Sequence, residues 1–407
     1  PPLFLTCGIS QEACTGDSAG EYDSKELYAE ALIPILKDAP LAKSLNLNLS
    51  TRFSDYNLFG NTTNSTLKLE YRPVDDVLVR ATYSQVFRAP TIEDISAAPV
   101  NTSTTFADPC VGLTAAAVTA NPNLALACVN VPRDGTFSQD NGQITGLLLS
   151  NVNLKPETGD VTTFGVVYDP SWLPNFSISL DFWKYKIEDT ITQLDATFAI
   201  NQCIATGDPT FCSLFTRFGA GPNAGDIQVA QQPTFNLGTL ETNGIDLGVQ
   251  YALRDTPIGT FRFRLDATKI DSYENVPAPG AAPVEVVGTY DRQFGNYAKV
   301  RAKGMIGWDL GNFDGMVSAN YIGSVDLLNP AAVGASPPLE VPAYTYVDLT
   351  LGYKFEKTNT KVQFGVQNLG DKQPPILYQN NVTNANTDVQ TYDTQGRRFW
   401  LSVSQKF

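Results

Sequence analysis

Histidine is absent from this sequence of 407 residues. A Ser-His-Asp triad, a histidine-ligated zinc ion and a histidine general base are therefore excluded within it. Basic residues are also few, because 28 Lys and Arg stand against 42 Asp and Glu and the net charge is −14. We expect no nucleic-acid partner, since phosphate contacts need a basic surface. Glycine loops for phosphate, dinucleotide fingerprints and calcium loops are missing as well, so we predict no enzyme activity, cofactor or metal site.

Long hydrophobic runs are also missing. No stretch of about 18 apolar residues occurs, which excludes an ordinary transmembrane helix. A transmembrane β-barrel remains possible, because its strands alternate and average to a mild hydropathy. The sequence begins Pro1-Pro2 without a recognisable signal peptide, so we expect a mature or N-terminally truncated chain.

Apolar and polar residues alternate along most of the chain. In one example Phe261, Phe263 and Leu265 alternate with Arg262, Arg264 and Asp266. Successive side chains of a strand point to opposite faces, so each such segment has one apolar and one polar face. Helical periodicity is limited to a possible short turn around Thr114–Ala120. About thirteen strands are predicted, starting near Lys25, Leu45, Asn64, Val77, Val161, Phe176, Leu240, Thr260, Lys299, Gly315, Tyr344, Lys361 and Asp388.

The links between these strands alternate between short and long. Short links such as Pro73–Asp76 and Glu356–Thr360 are separated by longer ones, at Tyr56–Thr63, Ala89–Asp160, Ile187–Thr239, Asp271–Ala298, Val325–Ala343 and Asp371–Val389. Outer-membrane barrels have tight periplasmic turns and long outer loops. The sequence therefore predicts an all-β fold, a transmembrane antiparallel β-barrel with a lipid-facing side and a wet lumen. Thirteen antiparallel strands cannot close simply, so either the barrel is larger than this chain or weak N-terminal strands are missed.

The six cysteines form three sequence-local pairs, Cys7 with Cys14, Cys110 with Cys128, and Cys203 with Cys212. All three pairs fall in predicted outer loops. We predict three disulfides and an oxidising compartment, with six free thiols as the alternative.

Several motifs resemble those of TonB-dependent outer-membrane receptors. Val86–Thr91 resembles the family's "FRAP" segment, Leu154–Glu157 its "LKPE" segment and Val366–Lys372 its "VxNLFDK" segment, although Gly370 replaces the usual bulky residue. Glu26–Glu30 resembles a strand start of that family, and the last strand Arg397–Phe407 resembles a barrel-assembly signal.

This resemblance implies that residues 1–407 are the C-terminal portion of a 22-stranded barrel, its tenth to twenty-second strands, without the plug domain. It implies an active receptor of the Gram-negative outer membrane that imports an iron chelate, cobalamin or an oligosaccharide. The implied partners are the TonB–ExbB–ExbD complex acting through the plug, membrane lipid and lipopolysaccharide, the assembly machinery at Phe407, and a surface lipoprotein. A passive porin or a barrel-based surface adhesin is the main alternative, and a soluble extracellular β-sandwich is a third.

Six side chains are expected to face the lumen towards the outer ends of their strands and are our candidates for substrate binding: Arg88, Trp183, Tyr185, Arg301, Lys303 and Arg398. Each also has a structural interpretation. Arg88 can pair with an acidic group where Pro90 ends its strand, and the other cations can pair with neighbours or with the plug. The two aromatic rings can belong instead to an interfacial girdle.

Overall fold

The computed structural model describes residues 17–139, 142–278, 281–291, 295–328, 339–377 and 386–406. Thirteen long strands, each paired antiparallel with its neighbours along the chain, form one wall. They are β1 (Ser24–Ala39), β2 (Ala42–Tyr56), β3 (Gly60–Arg72), β4 (Val77–Arg88), β5 (Glu157–Tyr168), β6 (Phe176–Gln193), β7 (Ile227–Thr256), β8 (Gly259–Val276), β9 (Val300–Leu310), β10 (Phe313–Ile322), β11 (Tyr344–Phe355), β12 (Thr360–Gln367) and β13 (Arg398–Gln405). The predicted all-β wall and its number of strands are confirmed. Within the described residues, β1 pairs only with β2 and β13 only with β12.

The remaining elements are short and lie in the long links between wall strands. The short strands are Val100–Thr105, Gln143–Leu149, Phe215–Arg217, Val284–Glu285, Thr289–Asp291, Gly295–Asn296, Val325–Leu327 and Glu340–Val341. The helices are α1 (Ile92–Ser96), α2 (Ala115–Ala120), α3 (Leu124–Ala127), α4 (Ala196–Thr206) and α5 (Pro209–Cys212), with a 3₁₀ turn at Glu356–Thr358. In the described part of the chain, no helix is both long and apolar enough to cross a membrane.

The two faces of the wall differ as the alternation predicts. On one face, apolar side chains such as Phe164, Leu180 and Phe182 are 51 %, 52 % and 43 % exposed, and we assign this face to lipid. On the other face, charged side chains pair across or along strands, as Arg80 does with Asp181 at 2.6 Å. This face lines the lumen. The wall therefore combines a surface that needs lipid with one that needs water.

Aromatic side chains gather on the lipid-facing side at the end with the short links. Phe313 contacts Tyr353, and Tyr353 contacts Phe355, with ring centroids 4.7 Å apart in both cases. At a neighbouring turn the Trp172 indole donates a hydrogen bond to the Tyr168 hydroxyl at 3.1 Å. Such rings have an apolar body and a polar edge, and they suit the level where lipid meets water. This belt marks the periplasmic boundary of the membrane.

Three expectations about the links and the last strand were wrong. The predicted long link Tyr56–Thr63 is a tight turn of residues 57–59, because β3 begins at Gly60, which has a φ of 78°. The predicted link Ile187–Thr239 shrinks to residues 194–226, because β6 and β7 continue outward beyond the lipid, where alternation no longer reports strand structure. The last strand begins at Arg398 rather than near Asp388.

One helix was missed as well. The eleven residues of α4 bury Ala196, Ala199, Ile200 and Cys203, a spacing that fits one face of a helix. Asp195 caps its start, and Gly207 ends it with a φ of 68°. The helical spacing of these apolar residues is present in the sequence. It was missed because it covers only eleven residues between two strands.

The two longest links pack together on the outward extension of β7. We call this unit, residues 100–139, 142–149 and 194–233, the cap. Its sheet joins Val100–Thr105, Gln143–Leu149, the start of β7 and Phe215–Arg217, with a parallel pairing between Gly146–Leu149 and Ala230–Pro233. Its core buries thirteen hydrophobic residues, among them Phe106, Ile144 and Ile200. The cap thus has its own small hydrophobic core and is continuous with the wall through β7.

Two of the three predicted disulfides are confirmed, and both belong to the cap. Cys110 is bonded to Cys128 and Cys203 to Cys212, with Cα atoms 5.7 Å and 4.8 Å apart. The predicted pair Cys7 and Cys14 lies outside the described residues. Each bond closes a short loop and reduces the entropy that the cap loses on folding.

The assignment of the two faces is testable at neighbouring positions of β6. We expect Leu180→Arg to lower the free energy of unfolding by about 2–4 kcal/mol, because it places a cation in hydrocarbon. Ser179→Arg, one residue away on the luminal face, is the control and should change stability little. Urea unfolding in phospholipid vesicles measures both. Equal losses for the two variants would contradict the assignment.

Candidate functional site

A buried ion pair organises the outer part of the cap. Arg217 and Asp108 side chains are each only 1 % exposed and are 2.5 Å apart at their closest nitrogen and oxygen. The Arg217 guanidinium also donates to the backbone oxygens of Ala127 at 3.1 Å and Gly225 at 2.7 Å. Asp108 in turn accepts a hydrogen bond from the backbone N–H of Cys110 at 2.9 Å. One side chain therefore joins three separate segments of the cap.

Arg88 ties α1 to three strands at the outer end of the wall. Its guanidinium donates two hydrogen bonds to Glu157, both at 2.7 Å, and lies 3.5 Å from Asp94. Glu157 also accepts from the backbone N–H of Ile191 at 2.6 Å, so it links β4, β5 and β6. Asp94 forms a capping box with Thr91 at the start of α1. The motif segments Val86–Thr91 and Leu154–Glu157, far apart in sequence, thus meet in one contact.

Trp183 and Tyr185 lie side by side on the luminal face of β6. Their ring centroids are 5.5 Å apart. Trp183 covers Gly244 of β7, where a Cβ atom would approach the indole to 2.6 Å. The glycine therefore makes room for the ring to lie flat on the neighbouring strand. This pair forms an aromatic surface on the wall below the cap.

A polar cleft opens on the luminal side of β10 to β13. Its volume is about 360 Å³, and it is lined by Asn320, Tyr346, Asp348, Asn368, Tyr392 and Arg398, among others. Arg398 lies within 3.7 Å of Asp393 and donates a hydrogen bond to Gln395. Its Nε atom is buried and has no hydrogen-bond partner among the described residues. Arg398 therefore keeps donor capacity at the cleft.

Arg301 is linked to the edge of this cleft by a chain of hydrogen bonds through Asn296 to Tyr392. Its Nη2 atom donates to the backbone oxygen of Asn296 at 2.9 Å and to the side-chain oxygen of the same residue at 3.2 Å. The Asn296 amide then donates to the Tyr392 hydroxyl at 3.2 Å. Burial raises the pKa of Tyr392 above its ordinary value. Arg301 thus positions the buried Tyr392 ring.

Lys303 stands two residues along β9 from Arg301 on the same luminal face. Its neighbours across the strands are Asp266 and Asn320. The Asp266 carboxylate is taken by Arg264 at 2.7 Å, and Lys303 has no ion pair within the described part of the wall. An uncommitted ammonium therefore lies next to a residue that lines the cleft.

The carboxylates of the cleft, in contrast, are occupied. Asp348 accepts from the backbone N–H of Asn368 at 2.9 Å, and Asp393 accepts from that of Gln395 at 2.9 Å. Asn368, which has a φ of 50°, also bonds the backbone of Lys372 through both ends of its amide, at 2.8 Å and 3.0 Å. Lys372 then lies 4.1 Å from the centre of the Tyr344 ring. Among the charged groups at and beside the cleft, the cations Arg398 and Lys303 keep unused donors while the carboxylates of Asp348 and Asp393 accept from the protein, which favours an anionic ligand.

The six predicted residues fall into two groups. Arg398 lines the cleft, and Arg301 and Lys303 lie beside it on β9, while Arg88, Trp183 and Tyr185 lie on β4 and β6. Binding of substrate by any of them stays a prediction, and the contact of Arg88 with Glu157 agrees with its structural interpretation. The tyrosines of the cleft were missed. Tyr344 and Tyr346 could have been found, because alternation places both on the luminal face of β11. Tyr392 lies in a link, where no sequence pattern indicates which way a side chain points.

No group of three or more cysteine, aspartate and glutamate side chains in the described residues is arranged to hold a metal ion. The expectation that Phe407 carries an assembly signal falls on a residue outside the described ones.

A single wall with a lipid side, a luminal side and long outer links defines an outer-membrane β-barrel. The model of the family "TonB dependent receptor-like, beta-barrel" matches residues 7–369. The chain therefore belongs to this family of receptors and transporters, as the motifs indicated.

Similar proteins agree with this assignment. The "Rhizobactin receptor" of Rhizobium meliloti (strain 1021) is 26 % identical over 208 residues, which are 46 % of this chain and 28 % of that protein. A variant of the ferric enterobactin receptor PfeA from Pseudomonas aeruginosa has a similar fold, with a TM-score of 0.58 and 14 % identity over 94 % of this chain and 44 % of that one. The siderophore receptor PirA from Acinetobacter baumannii gives a TM-score of 0.56 and 16 % identity over 93 % and 45 %. The chain spans less than half the length of these relatives.

The buried ion pair of the cap gives a second prediction. We expect Arg217→Met to destabilise the cap by about 3–5 kcal/mol, because it leaves the Asp108 carboxylate buried without its partner. Arg264→Met removes a pair whose side chains are about half exposed, and should cost about 1 kcal/mol or less. Hydrogen exchange of the cap amides measures the difference. Similar protection in both variants would show that the buried pair does not hold the cap together.

Proposed function

We propose that this chain supplies the wall and the cap of an outer-membrane receptor that imports an iron chelate. Family membership supports a receptor of the TonB-dependent class. The similarity to a rhizobactin receptor and to a ferric enterobactin receptor supports an iron chelate over cobalamin or an oligosaccharide. Energy comes, in this proposal, from the TonB–ExbB–ExbD complex acting on a plug.

The observation that carries the proposal for the ligand is the cleft on β10 to β13. The Arg398 Nε atom lacks a partner there and the Lys303 ammonium beside it forms no ion pair with the described residues, while Asp348 and Asp393 are engaged by protein donors. Tyrosine rings line the same walls. Cationic donors beside aromatic rings suit a chelate whose iron-binding groups are anionic and flat.

The cap and the Trp183–Tyr185 surface complete the proposed path. The cap continues outward from β7, and in this proposal it borders the entrance to the lumen. The aromatic pair lies on β6, whereas the cleft is formed by the later strands β10 to β13. A ligand that entered beside the cap would meet aromatic surface on one part of the wall and cationic donors on another.

Uptake of radioactive iron tests the proposal. The complete receptor, expressed in a Gram-negative strain without its own siderophore receptors, should import ferric rhizobactin or ferric enterobactin only when TonB is present. Arg398→Gln with Lys303→Gln should weaken binding of the imported chelate by about a hundredfold or more, since each hydrogen bond to a charged group contributes about 1.5–3 kcal/mol. Lys184→Gln, on the lipid-facing side, is the matched control.

Two results would contradict the proposal. Uptake that continues without TonB would favour a passive porin, and surface binding without uptake would favour an adhesin. If uptake needs TonB but the luminal double variant binds the chelate as the control does, the receptor function holds and the cleft is not its ligand site.

A further inference from the structure

A second pocket lies on the wall at the periplasmic end of β7 to β10. Two tight turns fix its level, because β7 ends at Thr256 just before β8 begins, and β9 ends at Leu310 just before β10 begins. The pocket has a volume of about 450 Å³ and shares no lining residue with the cleft on β10 to β13. We call it the arginine pocket, and its lining includes Gln250, Arg254, Arg262, Arg264, Met305 and Met316.

Strand register places the arginine pocket on the luminal face. Arg262 alternates along β8 with Phe261 and Phe263, which lie on the lipid-facing side. Arg262 is paired in register with Gly307 of β9, and Gly307 with Met316 of β10. Residues directly opposite each other on paired strands share a face of the sheet, so this row is luminal. The next row outward on the same face consists of Gln250, Arg264 and Met305.

The charged side chains that line the arginine pocket are all cationic. Among the described residues, no aspartate or glutamate belongs to its lining. Arg262 is paired with Asp309, and Arg264 with Asp266 at 2.7 Å, but a guanidinium has five N–H donors and both side chains keep some of them. Arg254 is exposed and forms no ion pair with the described residues. The pocket therefore offers directed donors and uncompensated positive charge to an anion.

An apolar surface completes the arginine pocket. The chain has only two methionines, Met305 and Met316, and both line this pocket. Gly307 has no side chain between Arg262 and Met316, so the space above it stays open. Met316 is 41 % exposed, and methionine makes favourable contacts with flat rings. A small inorganic anion would not use this surface, so the pocket fits an anion carried on a flat apolar group.

The arginine pocket continues a line of cations that begins beside the cleft. Arg301, Lys303, Met305 and Gly307 occupy successive luminal positions of β9. At about 3.3 Å per residue, Gly307 lies about 13 Å from Lys303 towards the periplasm. An anionic group that leaves Lys303 in this direction next meets the guanidinium of Arg264.

We propose that the arginine pocket is a second binding site for the imported chelate. It holds a flat anionic group, an aromatic carboxylate or phenolate, before release into the periplasm. This role rests on the proposed function, because it takes an anionic chelate as the cargo. The cleft captures the ligand from outside, and the arginine pocket acts only on its passage.

Methionine NMR tests the chemistry of the arginine pocket. The complete receptor, labelled with ¹³C at its methionine methyl groups and held in nanodiscs, is titrated with benzoate. The resonances of Met305 and Met316, assigned from their leucine variants, should shift because the ring current of benzoate acts on methyl groups that contact it. Arg254→Gln should weaken this binding by about tenfold or more, because it removes a charged donor. Arg72→Gln, at the periplasmic end of β3 and outside the pocket, is the matched control.

Benzyl alcohol, which has the same ring without the charge, is the second probe and should leave both resonances unchanged. The absence of a shift with benzoate would overturn the proposal, because the pocket would then be closed to a ligand. An equal shift with benzyl alcohol, or equal benzoate affinity in Arg254→Gln and the control, would overturn it as well. In either case the arginines would not select an anion.

Uptake of the chelate tests the role in transport. Arg254→Gln should slow TonB-dependent uptake by about tenfold while equilibrium binding at the cell surface stays unchanged, because capture takes place at the cleft. Normal uptake by Arg254→Gln would show that the receptor function holds and that the arginine pocket is not on the import path. If the receptor without substitutions imports no chelate, the proposed function fails and the role in passage fails with it, whereas a methionine shift with benzoate would still identify an anion site.

Discussion

Backbone hydrogen bonding in lipid is the constraint on which the rest of this structure depends. No water is present in hydrocarbon to satisfy an open N–H or C=O group, so each strand of the wall must pair with its neighbours. The continuous antiparallel pairing meets this demand for β2 to β12, while β1 and β13 each keep one unpaired edge among the described residues. It also sets the period of two, because a paired strand shows one side to lipid and the other to water. The apolar face, the luminal ion pairs and the aromatic belt are consequences of that single requirement.

The same constraint explains what could be predicted from sequence. Wall strands were found because lipid imposes alternation on them, as with Phe261, Phe263 and Leu265 of β8. Outside the membrane a strand no longer needs an apolar lipid-facing side, so the outward parts of β6 and β7 do not alternate and were predicted to be loop. The cap sheet was beyond prediction for a related reason. Its strands pair across large separations in sequence, and no local pattern says that Gly146–Leu149 lies beside Ala230–Pro233.

The candidate site was predicted in part. Position on the luminal face followed from alternation, which is why Arg301, Lys303 and Arg398 were selected and why they share one region. Their partners could not be inferred, because Asn296 and Asp393 come from links whose path depends on tertiary packing. Arg88 shows the same division. Its motif and that of Glu157 were both recognised, but the contact that joins them, across 69 residues of chain, appears only in the folded structure.

The thirty residues of β7 form one uninterrupted strand from the periplasmic turn into the cap. Between the wall and the cap, residues 234–238 of β7 form strand pairs only with β6, and the register of this pairing shifts at Gly238. The cap is therefore joined to the wall by a continuous backbone that is paired on one side at the junction. The direction in which β7 leaves the wall thus sets where the cap lies.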